Sequence, residues 1–284
     1  MVPVADEHAA FAWFTAEHTV LLPTIRYALA SGCGTAAWQL AWAATTYLFR
    51  QGHWDECIAA QHLALEAVRP SGDAAVRAWF HRGLARICNR LERRDEARGY
   101  AETALELFTR LGDALGQARV HQDLAQLATD RRDYPQALRH AEAAVRLTRA
   151  NGDAALRAAA LNALGWITVL LGAPERALAH CEQALALLAG QGDRHQEAAV
   201  WDSLGLIHHR LGHHARAIAC YHEAIGRFRA NGHRYLEAGT LDKLGDVRAD
   251  AGDRAAARSA WQRALRILME LDRAEAVAVR AKLG

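Results

Sequence analysis

The stretch Trp201–Ala224, WDSLGLIHHRLGHHARAIACYHEA, decides the fold. Trp201, Leu204, Gly205 and His208 fall at i, i+3, i+4 and i+7, one face of a helix. Gly212 ends that helix, and Ala217, Tyr221 and Ala224 repeat the spacing on a second one. A glycine inside a helix costs about 1 kcal/mol against alanine, so Gly205 needs a reason. Small residues at Gly205 and Ala217 are expected where the two helices must approach closely.

Shifted by 40 residues, the sequence aligns with itself. The turn Gln191-Gly192-Asp193 recurs as Ser71-Gly72-Asp73, Leu111-Gly112-Asp113, Asn151-Gly152-Asp153 and Asn231-Gly232-His233. Leu84, Leu124, Leu164, Leu204 and Leu244 share one register, and Ala97, Ala137, Ala177, Ala217 and Ala257 another. A weaker sixth copy runs from Ser31 to Pro70, with Gly52-His53-Trp54 at its inner turn and Cys57 in the alanine place. Inner breaks at Gly52, Gly172, Gly212 and Gly252 divide the copies into helix pairs, antiparallel by loop length. Asp after Gly signals an N-cap, and Pro135 and Pro174 sit where second helices begin, at the tolerated first position.

The expected fold is therefore all-α, about fifteen helices in a right-handed superhelical solenoid of antiparallel pairs. Residues 1–30 read as a partial repeat, as if the chain began partway into one; 31–270 read as six repeats. Residues 271–284 read as a polar cap, a helix from Asp272 to Leu283 carrying Arg273, Glu275, Arg280 and Lys282 on its surface.

Composition narrows the function. A net charge of +2 is too balanced for an electrostatic nucleic-acid footprint. The basic residues are almost all Arg, the lysines being Lys243 and Lys282. Five cysteines without a C-x-x-C pair fit a reduced cytoplasm, and Cys57, Cys88 and Cys181 fall at packing positions of the repeat. No signal peptide opens the chain and no apolar run reaches the roughly 18 residues of a membrane span, so a cytoplasmic location is expected.

The order W-x-x-L-G, A-x-x-x-Y, A resembles the tetratricopeptide repeat (TPR), here at a spacing of 40 residues. The chain further resembles the C-terminal repeat region of the large Streptomyces antibiotic regulatory proteins (SARPs), actinomycete transcription regulators. The similar pieces are AWFTAEHTVLL at Ala12–Leu22, GHWDE at Gly52–Glu56 and LDKLGDVRADAGDRAAARSAWQRALRILMEL at Leu241–Leu271. In that family a DNA-binding domain and a nucleotide-binding switch precede the repeats. Neither is in this sequence, which has no G-x-x-x-x-G-K-[ST] phosphate loop. The resemblance implies a sensor or partner-binding module that acts on such upstream domains, with no direct nucleic-acid binding by this region.

Stacked repeats line a concave face with their first helices. With Trp201 on the packing face, a partner groove receives three rows. The first is Trp42, Arg82, Gln122, Asn162, Asp202 and Asp242; the second is Thr46, Arg86, Gln126, Trp166, Leu206 and Asp246. The third is Phe49, Asn89, Thr129, Val169, His209 and Ala249, flanked by Arg50, Arg90, Asp130, Leu170, Arg210 and Asp250. The expected groove is basic early, amide and apolar in the middle and acidic late. It would take a peptide that is acidic toward the Arg end and basic toward the Asp end.

Sharper chemistry is weaker. His208, His209, His213, His214 and His222 cluster, but Gly212 separates them, and they read as turn and core histidines; zinc needs three or four converging ligands. Asp242, Asp246 and Asp250 read as a charged helix face, although a divalent site or a catalytic carboxylate group has the same spacing. No nucleophile–base spacing is defensible, so no catalytic, cofactor or metal residue is expected. The reading is a non-catalytic protein- or peptide-binding module, with a stand-alone adaptor and a small-molecule receptor using the Trp166 groove as alternatives.

Overall fold

In the computed structural model, residues 7–149, 152–271 and 273–284 are described, apart from the side chains of residues 7, 8 and 50. The turn residue Asn151 and the cap residue Asp272 lie outside them. The helices are α1 (Glu7–Ala16), α2 (His18–Ala30), α3 (Gly34–Gln51), α4 (Trp54–Val68), α5 (Ala74–Arg90), α6 (Arg94–Arg110), α7 (Ala114–Asp130), α8 (Tyr134–Thr148), α9 (Ala154–Leu170), α10 (Pro174–Leu188), α11 (Arg194–Arg210), α12 (His214–Ala230), α13 (Arg234–Asp250), α14 (Arg254–Glu270) and α15 (Ala276–Ala281). No strand occurs among the described residues, and none of their helices is long and apolar enough to cross a membrane. The chain forms two compact units, one ending at Leu127 and one beginning at Ala128.

Six helices start on an Asp cap. Asp73, Asp113, Asp153 and Asp193 each accept a bond from the backbone N–H three residues on, at 2.8–3.0 Å. Asp133 and Asp253 do the same at inner turns. A side-chain acceptor there satisfies a donor that the helix leaves orphaned. Pro174 is the first residue of α10, while Pro135 is the second of α8; both positions lack an intrahelical N–H bond to lose.

The inner turns need a left-handed residue at the helix end. Gly52, Gly172, Gly212 and Gly252 supply it with φ between 73° and 85°. In the two intervening repeats the same place holds Glu92 (φ 58°) and Arg132 (φ 59°), which carry a Cβ penalty that glycine avoids.

Within each pair a fixed register sets the contact. A Cβ on Gly205 would lie 2.5 Å from the Tyr221 ring, one on Gly245 2.3 Å from Trp261, and one on Gly165 2.5 Å from the Cys181 sulfur. Each glycine therefore opens a hole filled by the side chain 16 residues later. In the first unit the corresponding pair is Ala85 and Ala101, both buried in one cluster. There volume is shared evenly between the helices. Between repeats, Gly83 lies against the buried Gln61 and Gly116 against Phe108. The second unit closes with α15, whose Ala276 and Val279 join the core of α13 and α14. It has six residues, shorter than the helix expected from Asp272. The chain first turns back after α14, the Arg273 N–H bonding the Leu268 carbonyl at 3.0 Å.

Candidate functional site

First helices of neighbouring repeats lie side by side, so a residue on one meets residues about one repeat further on. This builds a ladder of polar pairs. In the first unit Arg82 Nε donates to Asp123 Oδ2 at 2.6 Å, joined by Nη2 to Oδ1 at 3.4 Å. In the second unit the same two places, three repeats later, hold Asp202 and Lys243, which meet at 2.5 Å. The bond is retained with its charges exchanged. His209 Nε2 and Asp250 Oδ2, also 41 apart, meet at 2.7 Å. Lys282, just after α15, lies within 2.8–2.9 Å of both carboxylate oxygens of Asp242 and of Asp246.

In the first unit, Arg82 is held by Asp123 and lies 5.6 Å from the Trp79 ring centroid, so it supports the face instead of projecting from it. Arg86, one helical turn on, makes no hydrogen bond or ion pair among the described residues; its guanidinium lies 5.2 Å from the Phe49 ring centroid. Burial lowers the Arg86 pKa, opposed by Asp123 and reinforced by Arg82, Arg119 and Arg90. A cleft of about 280 Å³ opens here, lined by Phe49, Arg86, Asn89, Arg90, Asp123 and Gln126 among others. Trp42 is half exposed, edge-on to Trp79 and Phe80. Gln122 is half-buried, and the Arg50 side chain lies outside the described residues.

In the second unit the expected acidic row is largely compensated. Asp202 accepts from Thr240 Oγ1 at 2.9 Å as well as from Lys243. Lys243 also lies 4.8 Å from the Trp166 ring centroid, covering one side of the half-buried indole. Asp246 accepts from Trp261 Nε1 at 3.1 Å, and burial raises the Asp242 pKa against the pull of Lys282. Asn162 accepts a bond from the Cys181 thiol at 3.7 Å. Leu170 and Leu206 are half-buried and Arg210 is exposed, while Val169, expected on the groove, is buried.

His208 is buried and its ring lies 5.7 Å from that of His213. Burial lowers its pKa, helped by His213 and Arg216, which keeps it neutral in the core. A different trio was not singled out in the sequence: the ligand atoms of His18, His53 and Glu56 lie within 4.8 Å of one another. The His18 and His53 rings stack at 4.0 Å with an interplanar angle of 27°, so their in-plane lone pairs run side by side instead of converging.

The residues that sequence reasoning missed are the partners Asp123, Lys243 and Lys282, whereas Phe49, expected on the groove, lies against Arg86. The signal for them was present as opposite charges 40 or 41 residues apart at 82/123, 202/243 and 242/282.

Helix pairs at a spacing of 40 residues, with Gly205-type holes and first helices edge to edge, have a match among known families. The family model described as "Tetratricopeptide repeat" matches residues 35–110, 76–150 and 156–230, more than half of the chain. The chain belongs to the tetratricopeptide repeat family. As a TPR array it is a protein-binding module by type, built on a fold that generally serves as a non-catalytic scaffold. No curated protein matches the sequence. Solved structures show the same fold. BtubC (BKLC) from P. vanneervenii is 22% identical with a TM-score of 0.62, over 77% of this chain and 92% of that one. A Rap protein complexed with Competence and Sporulation Factor is 18% identical with a TM-score of 0.65, over 87% and 73%. Aspartyl phosphate phosphatase F from Bacillus subtilis is 14% identical with a TM-score of 0.63, over 88% and 70%.

Proposed function

We propose that this TPR protein captures acidic peptide segments on the first-unit cleft, and that it serves as the sensor region of an actinomycete transcription regulator of the SARP kind. One observation carries the first part: Arg86 presents a guanidinium, without an ion-pair partner among the described residues, into a cleft flanked by Asn89 and Gln126. A guanidinium fork matches a carboxylate, and amide side chains match a peptide main chain. Arg82, locked on Asp123, is compensated within the face and leaves Arg86 to meet the ligand. The regulator context rests on the sequence resemblance at Ala12–Leu22, Gly52–Glu56 and Leu241–Leu271. In it, 31–270 form the reading array between a partial repeat at 1–30 and a capping helix at 271–284, in the cytoplasm, and the array holds upstream domains in one state until its partner binds. A free-standing adaptor would use the same cleft. Whether the native reading frame extends upstream of Met1 separates the two.

The binding test is fluorescence anisotropy with a labelled hexaglutamate peptide. Arg86→Glu is expected to weaken binding more than tenfold, since it replaces an attractive charge with a repulsive one. Arg110→Glu, on the exposed surface of α6, is expected to leave binding within a factor of about two. Equal affinity of Arg86→Glu and the unaltered protein overturns the cleft assignment.

A further inference from the structure

Beside the Arg86 cleft, the first unit leaves two indoles at its surface. Trp42 on α3 is 50% exposed, and Trp79 on α5 is half-buried. Their ring centroids lie 6.3 Å apart with the planes at 83°, and the buried Phe80 ring meets Trp42 at 5.8 Å and 87°. Single apolar side chains at a surface are ordinary. Two adjoining tryptophans next to an arginine have the composition of a binding hot spot, in which Trp and Arg predominate.

This corner is ordered before any partner arrives. Trp79 is also edge-on to the buried Phe108 at 5.1 Å, and the Arg82 guanidinium lies 5.6 Å from its ring centroid. Arg82 is itself fixed by Asp123. A partner therefore meets side chains that are already held in place, which lowers the entropic cost of binding. The Arg82–Asp123 pair thus steadies the apolar wall, while Arg86 meets the carboxylate.

The spacing between the two features is fixed by the helices. Trp79 and Arg86 are seven residues apart on α5, about 10 Å at 1.5 Å per residue. Trp42 and Phe49 are seven apart on α3, and Phe49 lies against the Arg86 guanidinium, so both helices give the same separation. The peptide-capture reading has amide side chains bond the peptide main chain, which only an extended segment leaves open. In polyproline II form a chain rises about 3.1 Å per residue with three residues per turn, so side chains i and i+3 share a face about 9 Å apart.

We propose that the partner of the first-unit cleft carries an aromatic side chain three residues from its carboxylate, the ring seated on Trp42 and Trp79 and the carboxylate on Arg86. The inference rests on the peptide-capture reading and adds the apolar half of the recognition. An aromatic ring suits a corner of two indoles better than an aliphatic chain does. It stands edge-on to one and stacks on the other, a gain beyond the burial of its area.

The experiment measures anisotropy of amidated peptides labelled through a Gly-Gly spacer, made in both chain directions and read in the direction that binds more tightly. Phe-Ser-Ser-Glu-Glu-Ser is expected to bind about tenfold more tightly than Ala-Ser-Ser-Glu-Glu-Ser. Phe-Glu-Glu-Ser-Ser-Ser has the same charge with its carboxylates next to the ring, and is expected to lose most of that gain. Trp42→Ser is expected to abolish the gain while keeping hexaglutamate affinity within a factor of about two, the indole lying about 10 Å from Arg86. Trp13→Ser removes an indole of similar exposure on α1 and is expected to leave the gain intact. Circular dichroism melts and the retained hexaglutamate binding establish that each variant is folded. The proposal is overturned if Phe gives no gain over Ala, if the gain survives Trp42→Ser, or if the adjacent spacing binds equally well. Loss of hexaglutamate binding in Arg86→Glu is read separately, so the aromatic seat can fail while the cleft stands.

Discussion

The hole at Gly205 gives the sharpest test of the packing register. In Gly205→Ala the new methyl would lie 2.5, 2.5 and 2.9 Å from three carbons of the Tyr221 ring. Carbon atoms prefer about 3.5–4.0 Å, so the ring or a helix must move. Tyr221 is 0% exposed, which leaves the ring no free volume, and overpacking of this kind costs about 1–3 kcal/mol. Taking about 3 kcal/mol and subtracting about 1 kcal/mol of alanine helix propensity leaves a net loss of about 2 kcal/mol. In a Tyr221→Ala background the ring is gone and the clash with it. There Gly205→Ala keeps only its propensity term and stabilises by about 1 kcal/mol. The substitution changes sign, a coupling of about 3 kcal/mol in a double-mutant cycle. Urea unfolding of the four proteins measures the cycle. Hydrogen exchange in α11 and α12 localises the effect, which matters because repeat arrays unfold piecewise. A loss of similar size in both backgrounds would refute the register, since it would mean that the methyl meets something other than Tyr221.

Three further outcomes are expected. Glu92→Gly and Arg132→Gly should each stabilise the fold by about 0.5–1 kcal/mol by relieving a left-handed non-glycine residue, read as a rise in melting temperature, whereas Gly212→Ala should lower it. Burial pushes the thiols of Cys57 and Cys220 up to about 11 and that of Cys181 to about 12, so in the native protein at pH 8 a thiol reagent should label the exposed Cys33 first and reach these three only on unfolding. His81, His180, His208 and His222 are held below the ordinary value of 6.5 chiefly by burial. The unfolded chain then binds more protons than the native one as pH falls below 6.5, so stability is full above that pH and declines beneath it. His208→Gln should flatten part of that decline in urea titrations between pH 5 and 7, while an unchanged slope would remove His208 from the account.

How far the sequence could be read depends on how local each cause is. The 40-residue period, the helix pairs and the Gly-Asp turns were legible because each is written within a few residues. An Asp caps the helix three residues ahead, and a glycine takes the left-handed place whatever surrounds it. The pairing of Gly205 with Tyr221 was half legible: the glycine announced a close approach, but not which ring would fill it. The positions of the groove rows followed from the repeat, whereas their state did not. Arg82 and Arg86 look alike in sequence, one turn apart on α5, yet one is locked on Asp123 and the other faces the cleft. Asp242 and Asp246 read as an open acidic face until Lys282 is brought to them.

The sequence by itself therefore determined the fold family, the elements and the places a partner-binding face would occupy, because helix periodicity, capping and repeat register act along the chain. The tertiary structure decided which charges on that face are available. That depends on how closely first helices of adjacent repeats approach, and on where a short terminal helix sets down one lysine. An ion pair such as Arg82–Asp123 forms only when two side chains some 40 residues apart come within about 4 Å, a distance set by packing between repeats, as where Gly116 meets Phe108.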